Sequence, residues 1–115
     1  MKSDGSQLRS YCYVYDCASA LLTVLINGEK SNAYNISNPD SIVSIKQIAE
    51  AIAEQAGVKV IQETASEAEK ASYNLMTNSS LNSDKLEALG WKAAYSLTDG
   101  AKRTIEILRQ LALGA

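Results

Sequence analysis

Arg9 is the residue of this chain best suited to hold an anion. It stands just ahead of the run Tyr11-Cys12-Tyr13-Val14-Tyr15-Asp16. Only arginine offers a permanently charged planar fork, and at the mouth of a strand that fork suits a phosphate or carboxylate ligand. The plainer alternative is a solvated surface charge on an amphipathic strand, where most lone arginines sit. Cys12 and Cys17 lie five residues apart, a spacing that matches no metal or redox motif, and they read as reduced, partly buried thiols without assigned function. With no histidine in the chain, a histidine-bearing zinc site and a histidine general base are excluded.

The elements that must position Arg9 follow from local signals. Asp4-Gly5-Ser6 marks a turn that delivers the chain to Arg9. Residues 10 to 14 read as a strand because aromatic and branched side chains dominate. Asp16 reads as the cap of a helix reaching about Ile26, with Ala18, Leu21, Leu22 and Leu25 as its buried stripe and Asn27-Gly28 as its stop. Residues 33 to 36 read as a short strand broken by Ser37-Asn38-Pro39-Asp40.

Ser44 with Gln47 forms a capping box. It opens a helix whose apolar residues Ile45, Ile48, Ala49, Ile52, Ala53 and Ala56 share one face, and Gly57 ends that helix. Residues 58 to 61 then alternate like a strand, which predicts a strand-helix-strand unit with parallel strands and a right-handed crossover. The pattern dissolves over residues 62 to 80, a length of connection that is uncommon unless it is functional or mobile. Asn82 and Ser96 cap two further helices. Gly90 closes the first, and Trp91 just beyond it reads as a plug for the core rather than a stacking platform for a base.

Composition sets the class. The 115 residues fit one domain, and 46% hydrophobic with 21% charged residues is ordinary globular usage. A net charge of -2 argues against nucleic acid or an anionic membrane as partner. No apolar run approaches the ~20 residues that span a bilayer, and no basic leader precedes a cleavable segment, so a cytoplasmic location is expected.

The order of the short motifs carries more than any one of them. R-S-Y-x-Y-V-x-D at 9 to 16 is followed by a helix and then Ala33-Tyr34-Asn35-Ile36-Ser37-Asn38-Pro39-Asp40. Val43-Ser44-Ile45-Lys46-Gln47-Ile48-Ala49, Lys85-Leu86-Glu87-Ala88-Leu89-Gly90-Trp91 and Ser96-Leu97-Thr98-Asp99-Gly100 come next. This succession resembles the C-terminal part of the NAD-dependent sugar-nucleotide epimerase/dehydratase family, the extended short-chain dehydrogenase/reductases, over nearly the whole chain. The resemblance implies an α/β fold, the C-terminal subdomain of a Rossmann-type enzyme, built on a small parallel strand-helix-strand unit with additional helices. It also implies that residues 1–115 are a single sugar-nucleotide-binding part, with the cofactor-binding Rossmann half absent.

That half would carry a Gly-rich turn, where glycines let the backbone approach the cofactor pyrophosphate, and a Tyr-x-x-x-Lys pair. Gly5, Gly28, Gly57, Gly90, Gly100 and Gly114 are too far apart for such a turn, and no tyrosine has a lysine four residues on. The resemblance therefore implies no catalytic residue in this chain, no cofactor bound by it unaided, and NAD in the parent enzyme. A nucleotide-diphosphate sugar, of uridine or deoxythymidine, is the implied ligand.

Arg9 is then the phosphate contact, Gln7 reaches sugar or ribose hydroxyls, and Tyr11 flanks the site. Where the family often supplies a second arginine, no arginine lies between Arg9 and Arg103, and Asn74 and Asn78 are the nearest polar substitutes. The segment at 33 to 36 would lose its sheet neighbour without the Rossmann half. An unpaired edge and an exposed apolar docking face then favour a homo-oligomer. A structural or protein-interaction α/β module without nucleotide binding is the alternative from a different class, because function resides in the site rather than the fold.

Overall fold

The computed structural model describes residues 1–71 and 76–114. Its sheet has β1 (Leu8–Ser10) in the centre, flanked by β2 (Ile42–Ser44) and β3 (Asn78–Ser79). β1 pairs antiparallel with β2 in the register Leu8 to Ser44, Arg9 to Val43 and Ser10 to Ile42. It pairs parallel with β3, Leu8 to Asn78 and Arg9 to Ser79. Arg9 is thus held from both sides. The turn ahead of it forms as the sequence predicts: the Asp4 carboxylate accepts from the Ser6 N–H at 3.1 Å and from its hydroxyl at 2.9 Å. Gly5 sits at a φ of 70°, and a Cβ there would come within 2.9 Å of Lys46.

The helices are α1 (Val14–Asn27), α2 (Ile45–Ala56), α3 (Glu67–Ala71), α4 (Asp84–Glu87) and α5 (Leu97–Leu113). α2 has both halves of the predicted capping box. The Gln47 N–H donates to Ser44 Oγ at 3.1 Å, the Ser44 N–H donates to Gln47 Oε1 at 2.8 Å, and Gly57 closes the helix in the left-handed conformation. α5 starts as predicted, with the Asp99 N–H donating to Ser96 Oγ at 3.1 Å. α2 packs on α5. The main core gathers Ala20, Leu86 and Trp91, with Cys12, Val24, Tyr34, Ile36, Leu89 and Ala93 around it. Trp91 is the predicted plug, and its indole N–H donates to Ser19 Oγ at 3.0 Å.

Four expectations need correction. The strand near Arg9 is β1, two residues earlier than the 10 to 14 run, because the ladder with β2 and β3 ends at Ser10. Residues 33 to 36 and 58 to 61 make no strand, so the parallel strand-helix-strand unit is not formed, although the α/β class stands. A strand exists only with a neighbour to bond, and the 58 to 61 segment instead leaves Val58 and Ile61 exposed. Asp16 is not the cap of α1: Tyr13 holds that position, and Asp16 lies inside the first turn. Lastly, the stripe expected to be buried on α1 points outward, with Leu21 63%, Leu22 59% and Leu25 81% exposed.

Candidate functional site

Gln7, just ahead of β1, and Arg9 within it stand two residues apart and meet. Arg9 Nη2 donates to Gln7 Oε1 at 2.9 Å, and Nη1 donates to the Leu8 carbonyl at 2.7 Å and, at the long distance of 3.4 Å, to the Met76 carbonyl. These partners are neutral oxygens. Among the described residues the ion pairs join Lys2 to Glu69, Lys46 to Glu50 and Lys70 to Glu67, and none involves Arg9. Among the described residues the guanidinium is therefore oriented without being neutralised, the condition in which it attracts a further anion.

The β1–β3 pairing places Asn78 beside Leu8, the neighbour of Arg9 in the chain. Its Oδ1 accepts from the Ser80 N–H at 2.9 Å. The β1–β3 seam is closed by the Leu8 N–H donating to the Thr77 carbonyl at 2.8 Å and the Leu81 N–H donating to Ser10 Oγ at 2.7 Å. Asn74 lies outside the described residues. Tyr11 lines a different space, a cavity of about 290 Å³ between the β1–α1 junction, α2 and α5, and neither Arg9 nor Gln7 lines that cavity. Gln7 and Arg9 thus meet, Asn78 stands beside Leu8 on the neighbouring strand, and Tyr11 is turned to the cavity.

Sequence reasoning missed the residue that anchors this architecture. Asp16 is 1% exposed, and its carboxylate accepts from the Ala94 N–H at 2.9 Å and the Tyr95 N–H at 3.1 Å. Asn38, also buried, donates its amide to the Tyr95 carbonyl at 2.9 Å, so two side chains hold both backbone groups of Tyr95. The Tyr95 ring then packs on Tyr13 with centroids 4.7 Å apart and on Tyr15 at 5.6 Å. An aspartate at a strand-to-helix junction was the available signal, but local capping explained it equally well.

No group of three His, Cys, Asp or Glu stands ready for a metal among the described residues.

The family model for the NAD dependent epimerase/dehydratase family matches residues 1–37. The dTDP-D-glucose 4,6-dehydratase of Mus musculus is 32% identical over 114 residues, covering 92% of this chain and 30% of that protein. The UDP-glucose 4-epimerase of Thermotoga maritima, solved with UDP-glucose, superposes with a TM-score of 0.78 at 24% identity over 97% of this chain and 35% of its own. The dTDP-glucose 4,6-dehydratase of Bacillus anthracis, solved with NAD, gives 0.75 at 20% identity over 95% and 33%. The fold is that of a part of an extended short-chain dehydrogenase/reductase. The chain resembles a C-terminal part of members of the NAD-dependent epimerase/dehydratase family, and it spans about a third of the length of the relatives it matches.

Proposed function

We propose that this chain is the part of an NAD-dependent sugar-nucleotide epimerase or dehydratase that holds the nucleotide-diphosphate sugar. The observation that carries the reading is Arg9, fixed in the central strand, oriented by Gln7 and two carbonyls, and paired with no carboxylate among the described residues. In this reading Arg9 takes a phosphate oxygen, Gln7 and Asn78 bond hydroxyls, and Asn74 is a further contact. Tyr11, turned to the cavity, flanks the site from behind. Binding energy gathered from the nucleotide then places the sugar at the reacting centre.

NAD and the acid/base pair belong to a separate Rossmann half, so the chain is not catalytically competent unaided. We place the enzyme in the cytoplasm, consistent with the absence of any helix long and apolar enough to cross a membrane among the described residues.

The uncharged outer face of α1 is the surface onto which the cofactor half docks. In its absence, second copies cover the same face and the chain forms a homo-oligomer. Sedimentation at tens of micromolar is expected to show a dimer or larger species, and a clean monomer would count against it.

Calorimetric titration with UDP-glucose and dTDP-glucose tests the substrate reading. Saturable binding is expected, and Arg9→Ala should weaken it by about 1.5–3 kcal/mol, the range for a hydrogen bond to a charged group. No saturable binding, or an unchanged affinity in Arg9→Ala, would favour a structural or protein-interaction module.

A further inference from the structure

The cavity between the β1–α1 junction, α2 and α5 is a space that the nucleotide reading leaves unused. Its walls come from Tyr11, Tyr13, Tyr95, Ile48, Ala101 and Ile105 among others, and no charged residue lines it. An anion would enter it without a counter-charge, so the space selects a neutral ligand. α5 approaches closely because it is small at this point: a Cβ on Gly100 would lie 3.1 Å from the Tyr13 ring. The volume of about 290 Å³ exceeds the roughly 150 Å³ that admits one benzene, so two fused rings have room. Ile52 and Leu108, which also line the space, are 42% and 55% exposed, so it communicates with solvent on their side.

One polar group in this wall is unspent. Ser41 is 2% exposed and lines the cavity, and its hydroxyl makes no hydrogen bond. The Thr104 hydroxyl, by contrast, donates to the Gly100 carbonyl at 2.8 Å. Burying an unpaired hydroxyl is costly, and a ligand that bonds it recovers that cost. The surroundings of Ser41 are fixed in advance. Asn38 caps the turn Pro39–Ser41 by accepting from the Asp40 N–H at 3.0 Å, and its amide also donates to the Tyr95 carbonyl at 2.9 Å. The Tyr11 N–H donates to the Ser41 carbonyl at 3.1 Å. One buried side chain therefore sets both Ser41 and Tyr95, and little ordering remains to oppose binding.

We propose that this cavity is a binding site for a small neutral aromatic molecule of two fused rings, whose one polar group hydrogen-bonds the Ser41 hydroxyl. The tyrosines supply ring contacts, and the α2 and α5 side chains supply apolar surface. The site is separate from Arg9, which does not line the cavity.

An amide-resolved NMR titration of the full chain with indole tests this. Saturable shifts are expected at Ser41, Tyr95, Gly100, Ala101 and Thr104, with half-saturation at roughly 0.1–1 mM for so small a ligand and Gln7 and Arg9 unmoved. Ser41→Ala should weaken indole roughly three- to tenfold, the worth of a neutral hydrogen bond, and leave 1-methylindole, which has no N–H, within about twofold. Ala101→Leu, which fills the space, should weaken both at least about tenfold. No saturable shift, shifts outside the cavity, or equal loss of both probes in Ser41→Ala would overturn the proposal. Displacement of indole by UDP-glucose would overturn it too, because the cavity would then belong to the nucleotide site.

Discussion

The two faces of α1 are built by opposite rules. The inward face carries a carboxylate and small residues: Asp16 1% exposed, Ala20 0% exposed, and Ser19 accepting from the Trp91 indole. The outward face carries Leu21, Leu22, Leu25 and Ile26, with Ile26 77% exposed. Amphipathic patterning normally sends leucines to the core and charges to water. The inversion teaches that α1 is fixed by hydrogen bonds and close approach on one side, while it offers a second apolar surface that none of the described residues covers.

The largest effect should come from the inner side. Trp91→Ala removes a large buried ring from the Ala20–Leu86 cluster and should cost about 3–5 kcal/mol in a urea titration. A cost below about 1 kcal/mol would mean that the cluster is not the centre of the fold.

Asp16→Ala deletes the shared acceptor of the Ala94 and Tyr95 amides and should cost about 2–4 kcal/mol. Asp16→Asn retains one carbonyl acceptor and should recover part of the loss. If both variants behave alike, the carboxylate acts through packing and not through these bonds.

The outer side should respond differently. Leu25→Lys places a cation in the last turn of a helix, where it is tolerated, and should leave stability within about 0.5 kcal/mol of the wild type. The same change should shift sedimentation toward monomer. Strong destabilisation would show that Leu25 is covered within the chain.

Much of this fold was legible because helix boundaries are local. Ser44 with Gln47 and Ser96 with Asp99 join side chains to nearby backbone, Gly57 ends α2 in the left-handed conformation, and Gly28 ends α1 with its N–H on the Val24 carbonyl. What was illegible depends on distant partners. The sequence could not distinguish an Asp16 that caps its own helix from one that reaches residues 94 and 95, nor tell which side of α1 faces the core. Residues 58 to 61 alternate like a strand, yet a ladder also needs a neighbour, and none is formed. Of the candidate site, Gln7 and Arg9 meet through a contact two residues apart, Asn78 comes beside Leu8 only through the long-range β1–β3 pairing, and Tyr11 follows the chain out of the strand toward the cavity.

The most direct test of the central claim is an amide-resolved NMR titration of the chain with UDP-glucose and dTDP-glucose. The account predicts saturable shifts at Gln7, Leu8, Arg9, Ser10 and Asn78 to Ser80, abolished in Arg9→Ala, with the outer face of α1 unmoved. Shifts confined to Leu21, Leu22 and Leu25, or no saturable shift at all, would contradict it.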